Sequence, residues 1–121
     1  YCETLFGRRR YLPELKAANF QMRAAAERMA VNHPIQGTAA DLMKVAMIEV
    51  RKQLLQSKES VSKNTRMIIQ VHDELVFDAT EQEVPALKEL IMNCMTTALA
   101  LPNGVPVEAE IGVGKNWLEA H

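Results

Sequence analysis

The sequence predicts an α+β fold: a small antiparallel sheet, made of a hairpin plus a C-terminal strand, with helices packed on one face. Three patterns lead there. Apolar, β-branched runs on either side of His72-Asp73-Glu74 read as two strands around a tight turn. Apolar residues recur at three- and four-residue steps before that hairpin and again after it, the spacing of buried helix faces. Val105, Val107, Ala109, Ile111 and Val113 alternate with polar or small residues, as a strand with one buried face does. The element order is hairpin, helix, helix, strand, strand, helix, strand. The second face of the sheet is left available to a ligand.

Tyr1 to Pro13 reads as the first hairpin. Thr4-Leu5-Phe6 leads into a turn at Gly7-Arg8, and Arg9-Arg10-Tyr11-Leu12 returns before Pro13. Three arginines beside a glycine suit phosphate binding; a charged strand edge that discourages aggregation explains them equally well. Residues 14–32, rich in Ala, Met, Arg and Glu, read as a helix that stops near His33-Pro34, because a residue before proline is pushed from helical geometry. Pro34 then suits the first turn of a second helix. Its core stripe is Ile35, Ala39, Leu42, Met43, Ala46, Met47, Val50 and Leu54. Thr38 and Asp41 have capping-box spacing, which leaves the start of that helix open.

Arg28, Asn32 and Gln36 lie four apart, so a continuous or gently kinked helix puts them on one face. All three donate hydrogen bonds, and a row of donors matches the minor-groove acceptors that every Watson–Crick pair presents. A solvated helix face is the plainer explanation from spacing alone.

Residues 57–65 are polar and aperiodic, an exposed loop. The central hairpin follows. Successive strand residues point to opposite faces, so neighbouring carboxylates serve one site only at a turn. No Gly or Asn-Gly eases this turn. A turn rule broken at a cluster of ionisable groups points to function. Two carboxylates about 5 Å apart repel by roughly 3 kcal/mol at an effective dielectric near 20. A divalent cation turns that repulsion into attraction. Hard oxygen ligands suit Mg²⁺, which is held by one or two carboxylates plus substrate phosphates. A solvated, charged turn is the bland alternative.

Thr80 and Glu83 make a capping box for a helix whose buried face is Val84, Leu87, Ile91, Cys94 and Ala98. Pro102-Asn103-Gly104 ends the connection to the last strand. Gly112-Val113-Gly114 is not read as a phosphate loop, since no helix is expected after it, and Trp117 reads as a packing anchor.

With 121 residues, 48% hydrophobic and 24% charged, the chain is one domain or a piece of a larger one, and can bury a core. No apolar run reaches membrane length and no signal peptide is seen, so a cytoplasmic setting without membrane contact is the default. Cys2 and Cys94 are isolated and read as free thiols; His33, His72 and His121 form no zinc pattern. Residues 1–33 carry a balance of +3 and residues 34–121 a balance of −4, which suits a polyanion on one side and a cation site on the other. The chain starts without Met in what reads as a strand, so a fragment is expected. Apolar surface left by truncation would then favour self-association.

Several of these stretches are similar to a known family. Glu3-Thr4-Leu5-Phe6-Gly7-Arg8-Arg9-Arg10-Tyr11-Leu12-Pro13, Ala26-Glu27-Arg28 and Asn32-His33-Pro34-Ile35-Gln36-Gly37-Thr38-Ala39-Ala40-Asp41 resemble the family A DNA polymerases, the bacterial DNA polymerase I group. Gln70-Val71-His72-Asp73-Glu74-Leu75-Val76 looks like the family's third motif, and Gly112-Val113-Gly114-Lys115-Asn116-Trp117 like its C-terminal ending. The resemblance covers nearly the whole chain in the right order. It implies a fingers-edge hairpin at 1–13 and the C-terminal part of the palm at 14–121. It implies Asp73 as a ligand of a catalytic Mg²⁺ pair, with Glu74 as the second acidic group beside it. One ion would activate the primer 3′-hydroxyl and the other would steady the triphosphate. Arg28, Asn32, Gln36 and His72 match positions that touch primer–template DNA near its growing end. The implied partners are primer–template DNA, dNTP and the upstream palm, fingers and thumb of the same polypeptide, with a nucleoid-associated location.

The departures are specific. The family's first metal-binding aspartate motif and the fingers helix that handles the incoming nucleotide are absent, as is any exonuclease domain. Cys2 replaces an aliphatic residue, and the loop at 57–65 is long for the family. The isolated segment is therefore expected not to polymerise, because one carboxylate pair cannot position two ions. A non-catalytic duplex-DNA-binding module is the alternative. A phosphohydrolase would need further metal ligands that no other Asp, Glu or His grouping supplies.

Overall fold

The computed structural model describes residues 1–57 and 63–121 and divides into two compact units, Tyr1–Leu42 and Met43–His121. One long helix contributes to both.

In the first unit, strands β1 (Cys2–Glu3) and β2 (Arg9–Arg10) pair antiparallel around a turn at Thr4–Arg8. The Thr4 hydroxyl accepts from the Phe6 and Arg8 amides at 3.3 and 3.2 Å, and Gly7 takes a φ of 82°, which glycine adopts without steric cost. A 3-10 turn at Pro13–Lys16 precedes helix α1 (Phe20–Gln56). The helix starts six residues later than the composition predicted because Asn19 caps it. Its Oδ1 accepts from the Gln21 amide at 2.9 Å and the Met22 amide at 3.3 Å.

The two helices expected around Pro34 are one. A proline inside a helix removes a backbone donor and costs about 3 kcal/mol or more, yet α1 continues through Pro34. Tertiary bonds across those turns offset the cost. The Thr38 hydroxyl donates to the Pro34 carbonyl and accepts from the Leu5 amide at 2.9 Å. Arg8 donates to the Gly37 carbonyl at 3.2 Å and pairs with Asp41 at 2.5 Å. Thr38 and Asp41 are thus mid-helix anchors for the hairpin, not a cap. The buried face here is Ala26, His33, Gly37 and Thr38, so the predicted stripe fails at Ile35 and Ala39, which are exposed.

The second unit holds the core. Val50 and Leu54 of α1 pack with Leu87 and Cys94 of α2 (Val84–Thr97), and Met67 and Phe77 of the central hairpin close the cluster. That hairpin is β3 (Arg66–Val71) paired antiparallel with β4 (Glu74–Asp78), and Ile68 is an extra residue in the register between Met67 and Ile69. Helices on one face of an antiparallel pair agree with the expected α+β class.

The expected strand at 105–113 is not one. Val107, Ala109 and Ile111 are half-buried between exposed neighbours, so the alternation was real, but the segment joins no ladder among the described residues. Alternating burial reports coverage, whereas a strand also needs paired backbone groups, and Pro106 lacks a donor. The described sheets are therefore two separate hairpins rather than a hairpin plus a C-terminal strand.

Three smaller expectations also change. Glu83 stands at the start of α2 without capping it by its side chain. Its carboxylate instead accepts from the Asn64 amide at 3.0 Å and the Thr65 hydroxyl at 2.7 Å, tying the helix start to the beginning of β3. A short helix α3 (Trp117–Ala120) does follow Gly112-Val113-Gly114, and Trp117 is 44% exposed rather than an anchor. Of the loop at 57–65, residues 58–62 lie outside the described residues.

Candidate functional site

Val71 pairs with Glu74, so His72 and Asp73 are the two residues of the central turn. His72 takes a φ of 51°, in the left-handed region where tight hairpins usually place glycine. Gln70 steadies it by donating from Nε2 to the His72 carbonyl at 2.7 Å. His72 and Asp73 are exposed, and no hydrogen bond or ion pair engages the Asp73 carboxylate among the described residues.

Alternation along β4 decides which way Glu74 points. Residues directly opposite each other share a face of an antiparallel pair. Met67 lies opposite Phe77, and both pack on the core; Leu75, two residues from Phe77, keeps that face. Glu74 is therefore on the other face, away from the core. Its side chain is 34% exposed, and His121 Nδ1 lies 2.8 Å from Oε1. The tip thus offers one open carboxylate and a second that is half-covered by the chain's last residue.

Hard oxygen donors of this kind fit Mg²⁺ better than a soft metal. No group of three or more His, Cys, Asp and Glu residues that could hold a metal occurs among the described residues, so the pair is part of a ligand set at most.

Arg28, Asn32 and Gln36 all lie on α1 and are all exposed. The continuity of α1 through Pro34 gives them the shared face that the spacing required, with about 40° of drift per step. Val31 and Ile35, 76% and 78% exposed, are interleaved with them. No hydrogen bond or ion pair occupies any of the three donors among the described residues. The structure gives no contact that assigns them a ligand.

The arginine run is largely committed internally. Arg8 is spent on Asp41 and Gly37, and Arg9 pairs with Glu3 at 2.8 Å while stacking 4.4 Å from the Tyr1 ring centre. The Glu3 hydrogen bond raises the Arg9 pKa further above its ordinary value. Arg10 reaches Met29 Sδ at 3.5 Å. The sequence offered no signal for the His121–Glu74 contact, because the partners are far apart in the chain.

Comparison with known proteins covers nearly the whole chain. The family model for DNA polymerase family A matches residues 1–119. The thermostable DNA polymerase I of Thermus aquaticus is 48% identical over 120 residues, covering 99% of this chain and 14% of that protein. DNA polymerase I of Pseudomonas aeruginosa is 50% identical over 121 residues, 100% of this chain and 13% of that protein. Among solved structures, the POL domain of Pol1 from M. smegmatis, in complex with DNA primer-template and dNTP, aligns with a TM-score of 0.82 at 47% identity, covering 98% of this chain and 20% of that one. Fold and sequence together match part of a polymerase domain. The chain belongs to DNA polymerase family A. It spans 13–14% of the length of the two curated relatives named above.

Proposed function

We propose that this chain works as part of a template-directed DNA polymerase, which adds dNTP to a primer 3′-hydroxyl, and that the β3–β4 turn is its contribution to the catalytic centre. The carrying observation is the exposed Asp73 carboxylate on a two-residue turn, beside Glu74, in a chain of this family. Asp73 and Glu74 would hold Mg²⁺. When bound, the metal supplies a lowered pKa for the attacking hydroxyl and neutralises charge on the phosphates.

The chain's own residues do the rest. The positive-φ turn at His72 brings Asp73 to the tip, and alternation along β4 keeps Glu74 off the core face. Arg28, Asn32 and Gln36 present donors that suit the minor-groove acceptors of correctly paired primer–template, and His72 contacts the DNA near the growing end. The domain reading, residues 1–13 at the fingers edge and 14–121 in the palm, belongs to the same proposal. So does a cytoplasmic, nucleoid-associated location; among the described residues no helix is long and apolar enough to cross a membrane.

A second reading is favoured by the absence of a three-ligand cluster among the described residues: the segment is a non-catalytic duplex-DNA-binding module, in which Asp73 has no part in incorporation. Single-turnover primer extension decides between them. In the full-length polymerase carrying this segment, Asp73→Ala should nearly abolish incorporation and leave DNA affinity largely intact. Substantial remaining incorporation would remove Asp73 from the metal site. Duplex binding that weakens steeply with salt is expected under either reading.

A further inference from the structure

We propose that His121, the last residue of this chain, is a positioning residue for Glu74, held in place by a purpose-shaped C-terminal turn; the inference rests on the metal-holding reading of the β3–β4 tip. Nδ1 of His121 lies 2.8 Å from Glu74 Oε1. An ionised carboxylate only accepts, so Nδ1–H donates. One Glu74 oxygen is thereby fixed, and Oε2 is left for a cation.

The turn that delivers His121 is built for close approach. A Cβ on Gly112 would lie 1.7 Å from the Ala120 carbonyl oxygen, and one on Gly114 would lie 2.5 Å from Glu119 Cβ. Only hydrogen at both positions lets α3 fold back over this segment. The turn is closed by a reciprocal cap. The Asn116 side chain accepts from the Glu119 amide at 2.9 Å, and the Glu119 carboxylate accepts from the Lys115 amide at 2.9 Å. The His121 amide then donates to the Trp117 carbonyl at 2.9 Å, which sets the backbone from which the imidazole reaches Glu74.

As a source of stability such an exposed pair is worth little. Its effect is on aim. Partners that orient a metal-binding side chain typically change metal affinity or activity about 10–100-fold when removed.

The test is a Mg²⁺ titration of single-nucleotide incorporation by the full-length polymerase carrying this segment. His121→Ala should raise the half-saturating Mg²⁺ concentration by about tenfold, with KM for dNTP, DNA affinity and melting temperature unchanged. His121→Asn, whose Nδ2 stands where Nδ1 stood, should restore the wild-type titration, and His121→Gln should not. In a Glu74→Gln background His121→Ala should add nothing. A wild-type titration for His121→Ala, no rescue by His121→Asn, or an additional loss on Glu74→Gln would each overturn the proposal. Asp73→Ala run alongside separates the two layers. If it retains incorporation, the metal reading falls and the positioning role falls with it; if it loses incorporation while His121→Ala is silent, only the role of His121 falls.

Discussion

His72 shows how much a single residue decides. A left-handed φ is unfavourable for a side chain with a Cβ, and the Gln70 bond to its carbonyl helps to hold it there. The two-residue connection calls for that conformation, and it leaves an exposed carboxylate at the tip. At the same scale, Arg28→Ala or Gln36→Ala in the full-length polymerase should slow extension and blur mismatch discrimination, each losing roughly 1–3 kcal/mol if it reads a base edge. Equal extension of matched and mismatched primers before and after substitution would count against minor-groove sensing.

Glu83 gives a residue-scale prediction in pH. The Thr65 hydroxyl first, and then the Asn64 amide, hold its carboxyl below the usual carboxylate range. A depressed folded pKa contributes stability that is complete above the unfolded value, about 4.3, and is lost as pH falls through the folded value. Glu83→Gln should therefore unfold more easily than the parent chain at neutral pH, and the two should converge in acid. A constant gap at every pH, measured by denaturant melts, would show that the carboxylate is not what ties α2 to β3.

Elements were legible in the sequence where the cause is local. The β3–β4 hairpin and its two-residue tip follow from apolar runs meeting at three polar residues, and α2 follows from its three- and four-residue spacing. The misreadings arise where distant partners decide. Pro34 should stop a helix by its own geometry, but Thr38, Gly37 and Asp41 are bonded to a hairpin some thirty residues earlier, and α1 runs through. Ile35 looked like core because its spacing fits, while the face actually covered is marked by His33, Gly37 and Thr38, residues that periodicity of apolar types cannot see. Residues 105–113 alternate correctly but lack a partner strand among those described. Of the candidate site, residue types and the shared face of the donor row were readable. The His121 contact was not, since it depends on how α3 folds back.

The hairpin seat on α1 is itself testable. A Cβ on Gly37 would meet Thr4 Cγ2 at 2.7 Å and His33 Cε1 at 2.8 Å, and both of those residues are buried. Replacing a mid-helix glycine by alanine gains about 1 kcal/mol in propensity, whereas overpacking costs typically 1–3 kcal/mol. Neither neighbour is the loose end of a flexible side chain, so the overpacking term should win. Gly37→Ala should lower stability and loosen protection of the Thr4–Arg8 amides in hydrogen exchange. A more stable variant with unchanged protection would contradict that seat.

At the scale of the whole molecule, the chain divides its labour along its length. Positive charge gathers in residues 1–33 and negative charge in the remainder, and the acidic tip lies in the unit that holds the Val50, Leu54, Leu87 and Cys94 core. A rigid base beneath a functional turn is what preorganisation of a metal site requires. On the proposed reading the tip contributes two carboxylates, and the remaining ligands would come from other parts of the polymerase. The most direct measurement is a crystal of the full-length polymerase carrying this segment, with primer–template, dNTP and Mn²⁺ in place of Mg²⁺, read by anomalous scattering. A metal peak is expected at coordination distance from Asp73, close to the roughly 2.0–2.1 Å typical of Mg²⁺. A well-occupied metal beside the dNTP phosphates with Asp73 outside its coordination sphere would contradict it.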